Sequence, residues 1–130
     1  MTATYFVSHQ YTDYRLVAML RHWRHEIADH SITHRTPTTW WKEATYDEWS
    51  NEMQGQREII NKFAKVDNAT VKGFRAPFLQ LGGDRQFKAM VDSKMLYDSS
   101  MPAANVGMWP YTFDYKSTQE CVIGPCPQGA

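Results

Sequence analysis

The 130-residue sequence predicts an α/β fold, an incomplete (β/α) barrel with parallel strands alternating with helices. Three observations predict it. β-branched and aromatic runs alternate with segments of helical period, and residue types suited to chemistry follow or end those runs. Four strands are also too few to close a barrel, which takes about 200 residues or more. The chain therefore reads as an arc of a larger domain.

The elements follow in order. "ATYFVS" (3–8) reads as a buried strand, and Thr12 is placed to cap a helix with Leu16, Val17, Leu20 and Trp23 on its inner face. "HEIA" (25–28) is a second strand. "RTPTTWWKEA" (35–44) reads as a loop, because Pro37 disfavours helix before it and the paired tryptophans carry no clear period. The residues 45–48, Thr-Tyr-Asp-Glu, fit a capping box that starts a helix reaching about residue 65, with Trp49, Met53, Ile60 and Phe63 as its apolar stripe. "VKGFRAPF" (71–78) is a third strand stopped by Pro77, "RQFKAMVDSK" (85–94) a short helix, and "MLYDSSM" (95–101) a fourth strand. Beyond Pro102 the chain is loop-rich.

Hydrophobic residues make up 42% of the chain and charged residues 22%, the balance of an ordinary globular domain. Lys+Arg and Asp+Glu both number 14, so no net charge draws the chain to nucleic acid or anionic lipid. No run approaches the ~20 apolar residues of a membrane-spanning helix. Neither nucleic acid nor membrane is an expected partner. The start lacks a charged region followed by an apolar one, so no signal peptide is visible, and the opening strand suggests further chain upstream. Cys121 and Cys126 have no zinc-ribbon spacing. A local disulfide, bridges to other segments, or free thiols remain open. "NAT" at Asn68 is a glycosylation acceptor if the chain is secreted.

Chemistry concentrates in "HSITH" (30–34). His30 and His34 stand at i, i+4, which on a helix puts both imidazoles on one face. The pair is either a surface helix carrying two histidines or half of a metal site, since neutral imidazole is the commonest ligand for zinc. Arg75 to Phe78 and Asp98 also lie at strand ends, where parallel α/β folds gather their sites. His9 and His25 read as structural. Trp40 and Trp41 suit either stacking on sugar rings or loop packing.

Three of these segments, in this order, resemble the motifs of polysaccharide deacetylases (NodB-homology, carbohydrate esterase family 4). "HSITH" resembles the metal-binding H-[S/T]-x-x-H motif, "RAPF" (75–78) the R-x-P-[Y/F] motif, and "LYDSSM" (96–101) the fourth motif as arthropods write it. The connecting text "GQREII", "FLQLGGDRQF" and "WPYTFDY" is similar to arthropod chitin deacetylases. The resemblance covers nearly the whole chain, ending near "CPQG", and implies that residues 1–130 are a partial deacetylase domain of a secreted, extracellular enzyme. Such an enzyme uses Zn2+ or another divalent metal and hydrolyses the N-acetyl groups of chitin or N-acetylglucosamine oligomers.

By that resemblance His30 and His34 are metal ligands, and Arg75, Phe78 and Asp98 serve catalysis. Arg75 would keep a base aspartate ionised and oriented. The Phe78 N–H would stabilise the oxyanion, a contribution of about 3–4 kcal/mol. Asp98 would shape the acid side. The family's T-F-D-D motif, with the base and the third ligand, and its L-x-H motif, with the acid, have no match. Asp114 in "YTFDY" lies on the wrong side of the histidines to stand in for the first. The chain alone is expected to be inactive. The alternative is a noncatalytic chitin-binding homologue. One departure stands out: Arg24 precedes His25 where the family commonly has glycine, at a cost of about 1 kcal/mol if the backbone there is left-handed.

Overall fold

A computed structural model describes residues 1–102 and residue 114. Its four strands are β1 (Thr4–Val7), β2 (Glu26–Asp29), β3 (Gly73–Phe74) and β4 (Tyr97–Asp98), in the sheet order β1-β2-β3-β4. All neighbours pair in parallel, with Thr4 opposite Glu26, Asp29 opposite Phe74 and Gly73 opposite Tyr97. Helices α1 (Tyr14–His22), α2 (Thr38–Glu43), α3 (Tyr46–Ala64) and α4 (Asp84–Asp92) connect them. The predicted α/β class and the parallel alternation hold, and the sheet is an open arc among the described residues. The cysteines 121 and 126 lie outside them.

Side chains alternate across each strand, and the two faces differ in kind. One face is packed by helices. Val7 and Ile27 meet Val17 of α1 and Ile60 and Ala64 of α3, while Phe74 and Ala76 meet Trp41, Trp49, Met53, Ala89 and Met90. The other face is polar and aromatic. Glu26 accepts from Thr4 Oγ1 at 2.6 Å and from the Tyr97 hydroxyl at 2.8 Å. Gly73 makes room for that reach, because a Cβ there would lie 2.0 Å from the Tyr97 ring.

α3 is the best-specified helix. Thr45 Oγ1 accepts from the Glu48 N–H while the Glu48 carboxylate accepts from the Thr45 N–H, which is the predicted capping box. Trp49, Met53 and Ile60 are buried as expected, but Phe63 is 55% exposed.

Other local expectations are corrected. Asp13, not Thr12, caps α1, accepting from the Arg15 N–H, while the Thr12 hydroxyl donates to the Ser8 carbonyl. Only Val17 of the expected inner face is fully buried; Leu16 and Trp23 are 57% and 58% exposed. The segment expected to be a loop at 35–44 contains α2, with Pro37 as its N-cap. Proline constrains the residue before it and is compatible with a helix that follows. The third and fourth strands are shorter than their apolar runs; after the third, Pro77 offers no N–H to a ladder and the chain turns at Pro77–Leu79 with Phe78 at φ 57°.

α1 ends in a Schellman motif, with His25 N–H donating to the Leu20 carbonyl and Arg24 N–H to that of Arg21. Arg24 occupies its left-handed position, at φ 66°. The departure noted in the sequence therefore falls where a side chain is strained. Arg24→Gly is expected to raise stability by about 1 kcal/mol in denaturant titration. Gly82→Ala is expected to lower it by about 1–3 kcal/mol by the same measurement, since the new Cβ would sit 2.3 Å from Nε1 of the buried Trp49 ring.

Candidate metal and hydrolytic site

The C-terminal ends of the strands carry the site. β2 runs into residues 30–34, which form a turn and not the helix that their i, i+4 spacing suggested. Ser31 and His34 have φ of 68° and 44°, so no helical ladder can run through them. The turn closes through other partners. His30 N–H donates to the Val7 carbonyl, Ser31 N–H to Asp29 Oδ1, Ile32 and Thr33 N–H to Glu52 Oε2, and His34 N–H to Ser31 Oγ. Short polar side chains compete with helix in this way.

The two imidazoles meet nonetheless. Their ring centroids lie 4.9 Å apart at an interplanar angle of 63°. His30 Nδ1 is 2.6 Å from the Arg75 carbonyl oxygen, which can only accept, so Nδ1 carries the proton and Nε2 keeps its lone pair. This is the arrangement that fixes a metal-binding histidine from behind. Burial holds the His30 pKa below its ordinary value, against the raising effect of that hydrogen bond, so the ring favours its neutral form. The donor set of two adjoining imidazoles thus suits a borderline divalent ion. Among the described residues no group of three or more His, Cys, Asp or Glu side chains converges on one point.

The turn after β3 touches both histidines. Arg75 supplies its carbonyl to His30, and the Phe78 ring lies 4.5 Å from the His34 ring. The Arg75 guanidinium lies 4.8 Å over the Phe6 ring, with Nε donating to the Ser99 carbonyl and Nη2 to Ser99 Oγ. Asp98 stands on the helix-packed face. Its carboxylate accepts from Ser100 Oγ at 2.6 Å, from Ser100 N–H at 2.8 Å and from Gln86 Nε2 of α4 at 3.2 Å. Ser100 Oγ in turn accepts from the buried Ala76 N–H. Asp98 is thereby joined to the Arg75–Phe78 turn through Ser100. Burial raises its pKa, opposed by the Ser100 bonds and the Arg75 charge.

Two carboxylates that sequence reasoning passed over support the histidine turn: Asp29 and Glu52, both buried. Burial pushes the Asp29 carboxyl well above the ordinary range, and the nearby Glu52 charge adds to the rise. Glu52 falls on the apolar stripe of α3 between Trp49 and Met53, and a charged residue on a buried stripe was the available signal. His9 and His25 make local contacts, the first with the Tyr14 hydroxyl and the second accepting from the Ala3 N–H. Trp41 is fully buried with its indole N–H donating to the Arg35 carbonyl, so the idea that it stacks on sugar is corrected. Trp40 is half-buried beneath the Arg35 guanidinium, 4.4 Å from its ring.

Comparison with known proteins identifies the family and the fold. The family model for polysaccharide deacetylase matches residues 1–92. Chitin deacetylase 8 of Bombyx mori is 44% identical over 128 residues, which is 96% of this chain and 34% of that protein. Chitin deacetylase 1 of the same species is 45% identical over 121 residues, 92% of this chain and 22% of that protein. The chain thus spans about a third or less of the length of these relatives. Among solved structures, a CE4 family pseudoenzyme from Bacillus anthracis aligns with a TM-score of 0.62 at 23% identity, covering 75% of this chain and 33% of that one. A family 4 acetyl xylan esterase from Clostridium thermocellum, solved with a cobalt ion, aligns with a TM-score of 0.56 at 22% identity, covering 68% and 40%. These two likenesses speak for the fold. With a family model over most of its length and relatives near 45% identity, the chain belongs to the polysaccharide deacetylase family.

Proposed function

We propose that this chain supplies the histidine pair and the arginine turn of a metal-dependent chitin deacetylase that removes acetyl from N-acetylglucosamine units. The observation that carries the reading is the pairing of His30 and His34, with His30 Nδ1 committed to the Arg75 carbonyl. The Bombyx mori relatives support chitin as the substrate. Secretion is part of the same reading and rests on the resemblance and on the acceptor triplet at Asn68.

His30 and His34 would hold the divalent ion, Zn2+ or a similar metal. When bound, such an ion polarises a carbonyl and makes a water more acidic. The chain's own groups have separate tasks. Arg75, fixed between Phe6 and Ser99, would orient a carboxylate base by charge. The Phe78 N–H would donate to the acetamide oxygen as negative charge gathers there, a stabilisation of about 3–4 kcal/mol in comparable sites. Asp98 and Ser100 would keep that turn in place through the Ala76 N–H.

Base, third ligand and acid must come from elsewhere in the intact protein. Incubated with zinc and N-acetylglucosamine oligomers, this chain alone is expected to release no acetate above background; measurable release would contradict the assignment. A noncatalytic chitin-binding homologue is the second reading, favoured by the lack of a third converging ligand among the described residues. Adjoining coding sequence with T-F-D-D before and L-x-H after these residues favours the enzyme, and replacement of those motifs favours the binder. Zinc titration by calorimetry should show one site. His30→Ala and His34→Ala should each weaken it by more than about tenfold, since even an outer-shell partner is worth about 10–100-fold. Equal affinities would remove the metal site.

A further inference from the structure

The histidine turn has an unusual support. Its amides at 31–34 donate to side chains, and two of them converge on one carboxylate oxygen from a different element. Glu52 Oε2 accepts from the Ile32 and Thr33 N–H groups, both at 2.9 Å, while Oε1 accepts from Thr33 Oγ1 at 2.9 Å and faces the Arg35 guanidinium at 3.9 Å. Glu52 is 6% exposed and sits about two turns into a helix whose start is locked by the capping box. Its neighbours Trp49 and Met53 are fully buried, so the carboxylate has a fixed origin.

We propose that Glu52 is a positioning residue for the histidine site, holding the backbone between His30 and His34 so that both imidazoles face one cation. The proposal deepens the metal-dependent reading above and rests on it. Two features support a role in the site beyond general stability. The bonded amides lie between the two ligands, not beside them. Ser31 and His34 have left-handed φ values, which a short segment holds only when its surroundings determine them. α3 also reaches the start of the histidine segment, with Gln56 Nε2 donating to the Val7 carbonyl that accepts the His30 N–H.

The test compares zinc affinity, by calorimetric titration of the 130-residue chain, across wild type, His30→Ala, Glu52→Ala, Glu52→Gln and Glu52→Asp. Each variant's fold is checked by circular dichroism and denaturant titration. Glutamine keeps an acceptor oxygen at the same reach, and its amide can donate to Thr33 Oγ1. Aspartate keeps the charge but is one methylene short. We expect Glu52→Ala and Glu52→Asp to weaken zinc by about tenfold or more, in the range of outer-shell partners of metal ligands, and Glu52→Gln to stay near wild type. If Glu52→Ala fails to fold, the opposite behaviour of Gln and Asp still decides. Glu52→Asp binding zinc as tightly as wild type while His30→Ala does not would overturn the positioning role and leave the metal site intact. No difference between wild type and His30→Ala would overturn the metal reading and this one with it.

Discussion

The site depends on how the backbone amides of residues 30–34 find acceptors. A chain leaving a buried strand end loses its ladder partners, and each unmet buried donor costs about 1–3 kcal/mol. A helix would solve this internally. Here Asp29, Ser31 and Glu52 supply the acceptors, so the chain turns tightly and brings back two imidazoles at the mouth of the sheet. The solution places two carboxyl groups behind the histidines. Asp29 bears part of the cost, since burial and the Glu52 charge both disfavour its ionised form.

The alternation of side chains across the sheet sorts the remaining residues. Phe6, Arg75 and Ser99 interlock on the open face, above the Thr4–Glu26–Tyr97 cluster. Asp98, Ser100 and Gln86 lie on the helix-packed face and act through the Ala76 N–H, with Gln86 Oε1 also accepting from the Gly82 N–H. Neighbouring residues of one short segment therefore have different work. Arg75 and Ser99 face the open side, while Ala76 and Ser100, each one position further beyond its strand, fasten the same turns to the helices. A one-residue slip of register would exchange the two sets.

Much of this was legible from residue pattern. Alternating apolar runs gave four parallel strands, and the Thr45–Glu48 box gave the start of α3, because capping is a local matter of hydroxyl and carboxylate reach. The glycine-type position at Arg24 came from the family resemblance, and its φ of 66° agrees. What escaped was settled over distance. The histidine spacing fits a helix equally well, and one of the acceptors that close the turn instead, the Glu52 carboxylate, lies 19 or 20 residues along the chain. The exposed Leu16, Trp23 and Phe63 show the same limit, since helical period says that residues share a face but not what covers it. α2 was missed for a different reason: the effect of Pro37 is directional, acting on what precedes it.

The order in which these supports act follows from the sheet order. β4 holds the turn after β3 through Ser99 and Ser100, that turn holds the histidines through the Arg75 carbonyl and the Phe78 ring, and β2 is tied back to β1 through the Val7 carbonyl. Each loop at the strand ends thus rests on its neighbour in a parallel sheet, where consecutive loops emerge on the same side. A helical histidine pair would be internally rigid and would need none of this. A turn held from two sides instead makes the spacing of its imidazoles depend on α3 below it and β3 beside it. On the proposed reading, the packing of those two elements would bear on metal affinity alongside the ligands themselves.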